Sequence, residues 1–440
     1  MTTHKELLDL AGIGVGPFNL SLAALLDSIP ECHARFFDDK SRFSWHPGLM
    51  LPGARMQTSC LKDLVTPVSP TSPWSFMNFL VTQGRFYDFM SLESLVVSRQ
   101  EFTSYLSWVA DNLPSLAFNT PVREISFQKD RFLIRTDNKD FIANNICMGS
   151  GKKPYIPPCA RTHLSNNCFH ATSLNTRRPE LAGKRVAVVG GGQTGAEVFM
   201  NSLHGLWGKP ADIVWISRRP NYEPLDESPF TNQFFTPDYV DAFHGIEDER
   251  KAHITQRQKL ASDGITPAYL SQMYEELYYQ NYVEQGRLPD WQLAPDRELV
   301  QMEKNIGGYQ LELTNKFQNT RENLTVDAII LCTGFEYCLP EYLEPLLPLI
   351  PGGESGQLPL DKDFRVQWDG PGDRKIFAVN AGLHSHGIAE PQLSLNAWRS
   401  AKIINNLFQE KHFDLGGKPR LMQWSSWNHI SKDGKPRNAA

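Results

Sequence analysis

Short apolar runs that end in glycine recur along this chain, and each reads as a buried strand breaking into a tight turn. Leu7-Leu8-Asp9-Leu10-Ala11 leads into Gly12-Ile13-Gly14-Val15-Gly16-Pro17-Phe18-Asn19, and the apolar positions then take helical spacing over Asn19–Leu26. Arg185-Val186-Ala187-Val188-Val189 leads into Gly190-Gly191-Gly192-Gln193-Thr194-Gly195 and a helix through Phe199. Another apolar run follows each unit. Ala34-Arg35-Phe36-Phe37 stops at Asp38, and Asp212-Ile213-Val214-Trp215-Ile216 stops at Ser217-Arg218-Arg219.

The remaining pattern fills in around these two units. Ser98-Arg99-Gln100-Glu101 is a capping box, with Phe102, Tyr105, Leu106 and Val109 on one helical face behind it. Alternation predicts strands at Glu124–Phe127 and Phe132–Arg135, and Asn144–Met148 runs into the turn Gly149-Ser150-Gly151. Residues 237–290, rich in charge and aromatics, read as a helical insertion. Thr325–Leu331 returns to a buried strand, which is expected to complete the first sheet, and a last helix is expected near Gln392–Leu407. The polar tail after Lys418, with Trp424 and Trp427, is expected to be partly disordered.

This order predicts an α/β protein with two Rossmann-like dinucleotide-binding domains, the second inserted in the first, plus a small, mostly helical substrate subdomain. The expected division gives 1–165 and 326–440 to an FAD-binding domain. It gives 166–236 and 291–325 to an NADPH-binding domain, and 237–290 to the substrate-binding insertion.

Each glycine turn lets the backbone approach a pyrophosphate whose charge sits on a helix N-terminus. In the first, Gly12, Gly14 and Gly16 are followed by Pro17, which pre-sets the helix, and Asn19 stands where a last glycine is usual. Asp38 falls about twenty residues on, where a carboxylate meets a ribose hydroxyl. The second turn, with Gly190, Gly192 and Gly195 flanking Gln193 and Thr194, has no acid at its strand end. Ser217, Arg218 and Arg219 instead offer donors and positive charge for a 2′-phosphate, which favours NADPH. Two such sites in one chain imply a flavin and a nicotinamide face to face.

Composition narrows the class. Of the 440 residues 41% are hydrophobic and 21% charged, as in ordinary globular proteins, and the net charge of −5 gives no reason to expect nucleic acid. No apolar stretch has membrane-spanning length, and the first residues lack a signal-peptide core, so a cytoplasmic protein without a membrane span is expected. The seven cysteines form no C-x-x-C pair and no zinc-like spacing. No metal site is expected, and a disulfide reductase is disfavoured.

Ser44-Trp45-His46-Pro47-Gly48 and Met56-Gln57-Thr58-Ser59-Cys60-Leu61-Lys62-Asp63-Leu64 crowd aromatic, imidazole, amide and ammonium groups where the first crevice should lie. With Gly-Pro-Phe-Asn after the first glycines, Pro70-Thr71-Ser72-Pro73, and His386-Gly387 through Leu393-Ser394, these segments resemble the siderophore-associated N-hydroxylating flavin monooxygenases, the lysine and ornithine N-monooxygenases. The likeness runs from residue 6 to about residue 408. Within the family, Ser262–Thr266 and Gly387–Gln392 look most like the lysine branch, and the asparagine that the ornithine branch carries near 262–266 is not evident.

The resemblance implies FAD and NADPH as cofactors, O2 and a small-molecule amine as substrates, and oxygen carried as a C4a-hydroperoxyflavin. It implies flavin contacts from Trp45, His46, Gln57 and Leu393, with Gln57 near the reactive edge. Lys62 would meet the substrate carboxylate, Asn232 would be a second polar contact, and Ser394 would lie near substrate or flavin ring. Gln57 and Lys62 position reactants, and no covalent or acid–base residue is needed. L-lysine is the expected substrate, with ornithine, cadaverine and putrescine as alternatives and a homo-oligomer, dimer or tetramer, as the assembly. Other flavin monooxygenases and a non-enzymatic flavin sensor are the competing readings.

Overall fold

The computed structural model describes residues 6–284, 286, 288–416 and 421–426. Strand Leu7–Ile13 lies between Ala34–Phe37 and Asp140–Met148, with Leu116–Ala117 beyond Ala34–Phe37, and all these neighbours are parallel. Arg131–Thr136 and Val122–Gln128 extend this first sheet antiparallel, and Ile376–Ala378 pairs parallel with the far end of Asp140–Met148. Helix Pro17–Leu26 is buried at nearly every position because it is sandwiched against the last helix, Asn396–Phe408. Asn396 Nδ2 donates to the Pro17 carbonyl (2.9 Å), and Ser400 Oγ meets Ser21 Oγ (3.0 Å).

The second sheet is wholly parallel, in the order Asp290–Ala294, Asp212–Ile216, Arg185–Val189, Ala328–Leu331, Cys168–His170. This corrects one expectation: the strand at 328–331 completes the second sheet, not the first. An all-apolar strand carries no mark of which sheet it joins. Its neighbours decide. The antiparallel meander Arg297–Asn305, Gly308–Asn315, Thr320–Val326 delivers the chain there, and Asp327 then binds Arg185 through its backbone N–H (2.9 Å) and guanidinium (2.7 Å). The late strand of the first sheet is Ile376–Ala378.

The chain enters the second unit through Lys153–Pro154 and leaves through Phe335–Glu336, and these two crossings pair antiparallel with each other. The second domain is therefore inserted in the first. The insertion expected at 237–290 contains helices Pro237–His244, Asp248–Arg257, Leu260–Asp263 and Pro267–Tyr282. Trp424 packs on Phe234 (5.5 Å) and Tyr239 (5.0 Å). Trp427, and most of the tail expected to be disordered, lie outside the described residues. No described helix is long and apolar enough to cross a membrane.

Candidate active site

Both glycine turns open onto one cleft of about 1910 Å³ between the two sheets. Gly14, Gly16, Pro17, Asp38, Trp45, His46 and Gln57 line it from the first domain, and Gly190, Gly192, Gln193, Thr194, Arg218 and Arg219 from the second. The first turn is tight because Gly14 has φ +86°, and a Cβ there would sit 2.6 Å from the Gly149 carbonyl oxygen. A Cβ on Gly16, by contrast, would meet nothing within 4 Å. It would stand in the space of the cleft.

Helices Pro17–Leu26 and Gln193–Leu203 both begin at glycine, with no side-chain cap and no acid in the first turn. Their free N–H groups and positive dipole ends thus face the cleft uncompensated, as diphosphate binding requires. Asp38 is 5% exposed; it accepts from Val15 N (2.6 Å) and Lys40 N (2.9 Å), and Lys40 Nζ lies 3.1 Å away. A carboxylate has about four lone-pair sites, so it retains capacity for a ribose hydroxyl. These residues fit two dinucleotides.

Other expected residues lie elsewhere. Gly12 lies within strand Leu7–Ile13, against the Phe36 ring. Asn19 is fully buried and donates to the Ile13 (3.2 Å) and Gly14 (2.8 Å) carbonyls, so it holds the turn and does not line the cleft. Gly195 lets its helix approach Gly190 and Trp215 closely. Ser217 is 1% exposed, its hydroxyl accepting from Arg219 N (3.1 Å). Asn232 is exposed on the turn Thr231–Phe235, and Leu393 and Ser394 form the turn that enters the last helix.

Lys62 is half-buried, and burial pulls its ammonium below the ordinary lysine range. Its ammonium has no hydrogen-bond or ion-pair partner among the described residues, and its backbone N–H donates to the Ser59 carbonyl (3.0 Å). Its loop is rigid because of the next residue. The Asp63 carboxylate accepts from Val65 N (3.0 Å), Thr66 N (2.7 Å), Phe76 N (2.7 Å) and the Thr66 hydroxyl (2.7 Å). Burial raises the Asp63 pKa while those hydrogen bonds lower it.

Gln57 reaches across the cleft. Its Nε2 faces the Gly264 carbonyl (3.3 Å), Thr266 Oγ1 (3.3 Å) and Gln193 Oε1 (3.5 Å). Sequence reasoning missed six cations on the cleft wall: Lys40, Arg123, Lys152 beside the domain crossing, Arg257 and Lys259 from the helical insertion, and Arg297. Lysines and arginines are spread along the whole chain, so only the fold separates those that face the cleft from those in solvent. It also missed Arg99 and Glu197, which pair across the domains at 3.3 Å.

The family model for L-lysine 6-monooxygenase/L-ornithine 5-monooxygenase matches residues 6–337. The L-lysine N6-monooxygenase of Escherichia coli is 45% identical over 425 residues, covering 96% of this chain and 99% of that protein. The chain belongs to the L-lysine 6-monooxygenase/L-ornithine 5-monooxygenase family. Its fold is similar to that of an FAD-bound cadaverine monooxygenase of desferrioxamine biosynthesis from Erwinia amylovora. That match has a TM-score of 0.89 and 26% identity, and it covers 96% of this chain and 99% of that one. The ornithine N-hydroxylase of Kutzneria sp. 744, solved with reduced FAD, NADP+ and L-ornithine, matches with TM-score 0.83 and 26% identity, over 92% and 99% of the chains. The protein is an NADPH-dependent flavin N-monooxygenase, with FAD and NADPH as cofactors.

Proposed function

We propose that this enzyme hydroxylates the side-chain amine of L-lysine to N6-hydroxylysine, for the biosynthesis of a hydroxamate siderophore. The balance is R–NH2 + O2 + NADPH + H+ giving R–NHOH + NADP+ + H2O. The observation that carries the choice of lysine is the 45% identity, end to end, with a lysine N6-monooxygenase. FAD, when bound, takes up the two electrons of NADPH and activates O2. The chain's own residues bind and orient. Gly14 and Gly16 seat the flavin diphosphate with Asp38 on its ribose, and Trp45 and His46 contact the flavin. Gly190, Gly192, Gln193 and Thr194 seat NADPH, with Arg218 and Arg219 at the 2′-phosphate.

Lys62 supports the same choice by charge. An unpartnered, half-buried ammonium attracts an α-carboxylate and repels the second ammonium of a diamine. Only about one amine in a thousand is uncharged at neutral pH, so a partly dry pocket that disfavours ammonium raises the reactive fraction.

The test is purified protein with FAD and NADPH, offered lysine, ornithine, cadaverine and putrescine, with hydroxylamine product scored. Lysine is expected to have the highest kcat/KM. A diamine or ornithine that outcompetes it overturns the substrate. Lys62→Ala is expected to raise the KM for lysine about 10- to 100-fold, the worth of a charged hydrogen bond, with much less effect on NADPH oxidation.

A further inference from the structure

Glu197 is 2% exposed, in the helix that follows the second glycine turn. Its carboxylate is gripped by Arg99 of the other domain, Nη1 at 3.3 Å from one oxygen and Nη2 at 3.4 Å from the other. Gln193, one helical turn earlier, donates Nε2 to the same carboxylate (2.9 Å). Its other end, Oε1, accepts from the Thr266 backbone N–H (2.9 Å). A carboxylate only accepts and a backbone N–H only donates, so chemistry leaves the Gln193 amide one orientation. Burial pushes Glu197 up from the ordinary carboxylate range, against the pull of Arg99 and Gln193.

The polarity passes on to Gln57. Its Nε2 faces Gln193 Oε1 and the Gly264 carbonyl, both acceptors, so its Oε1 must point the other way. That oxygen has no partner among the described residues, and Gln57 lines the cleft. We propose that Arg99, Glu197 and Gln193 fix the Gln57 amide with its carbonyl oxygen toward the cleft, where it accepts an N–H hydrogen bond from the substrate amine. Glu197 is thus a positioning residue, acting through Gln193. The inference rests on amine N-hydroxylation and adds what orients the amine. An acceptor holding one N–H leaves the nitrogen lone pair free to face the oxygen it attacks.

Glu197→Gln keeps the volume but can donate or accept, so it no longer dictates the Gln193 amide, which is then held, with Gln57, only by the Thr266 N–H and the Gly264 carbonyl. In the FAD-loaded variant the KM for the amine is expected to rise about fivefold or more, the loss of one modest hydrogen bond. The share of NADPH electrons ending in hydrogen peroxide should rise with it. Arg99→Met should behave in the same way, and it serves as the second variant if Glu197→Gln does not fold. Arg99→Lys, which keeps the charge, should restore most of the coupling. Wild-type amine KM and coupling in both neutral variants would overturn the proposal, as would a loss confined to NADP+ affinity. A wild-type enzyme that hydroxylates no amine would instead remove the reading on which it rests.

Discussion

Arg218 and Arg219 are adjacent in sequence yet differently employed. Arg219 donates to the Asp263 carbonyl (3.0 Å) and faces Glu223 at 3.9 Å, whereas Arg218 has no partner among the described residues and lines the cleft. A 2′-phosphate bound at this wall would gain a new charge-assisted contact at Arg218, whereas Arg219 would have to share. Arg218→Ala is expected to raise the KM for NADPH about tenfold and to leave that for NADH nearly unchanged, measured by cofactor oxidation under saturating amine. Equal effects on both cofactors would put the phosphate elsewhere. Sequence alone named the triplet Ser217, Arg218 and Arg219 as a unit. Residue types and spacing report available charge, and side-chain direction after a strand end depends on what packs there, here the buried Ser217.

At the scale of elements, local pattern was a good guide wherever the physics is local. Half of the capping box at Ser98 forms: its hydroxyl accepts from Glu101 N (3.0 Å), both partners lying within one helical turn, while the Glu101 carboxylate pairs with Arg85 (3.1 Å). The glycine turns are equally legible. Their sharpest consequence is at Gly14, whose positive φ and contact with the Gly149 carbonyl leave no room for a side chain. Gly14→Ala is expected to strain the turn by about 1–3 kcal/mol and to yield protein with little flavin absorbance after purification. Retention of stoichiometric FAD would show that this turn does not seat the flavin diphosphate. The loop from Gln57 to Asp63 was less legible. Asp63 reads as one more polar loop residue, and its place under three backbone N–H groups follows from the approach of Phe76, which no local pattern encodes.

The molecule as a whole hangs on the two crossings between domains. His170 sits at that junction, 8% exposed, with Nε2 at 3.1 Å from the Gly334 carbonyl and Nδ1 at 3.0 Å from Thr172 Oγ1. Burial lowers its pKa to about 4, opposed by the Gly334 carbonyl, against the unfolded value of 6.5. Between these values the unfolded chain binds the proton and the folded one does not. The contribution of neutral His170 to stability is therefore full above about pH 6.5 and falls by up to about 1.4 kcal/mol per pH unit down to about pH 4. Thermal melting between pH 7 and pH 5 should show a smaller drop for His170→Gln than for wild type. Parallel curves would mean that this imidazole is not what the acid titrates.

The amino-acid sequence by itself determined the two strand–turn–helix units, the helical insertion and the kind of ligand they hold. Those properties come from period, glycine and charge within a few neighbouring residues. Only the tertiary structure decided that the strand at 328–331 belongs to the second sheet, and that Asn19 serves the turn. The same holds for the path from Arg99 through Glu197 and Gln193 to Gln57, which joins residues up to 136 positions apart. Hydrophobic burial drives each apolar strand out of water without saying where it goes. The partner is chosen by geometry that exists only once both domains have folded around the cleft.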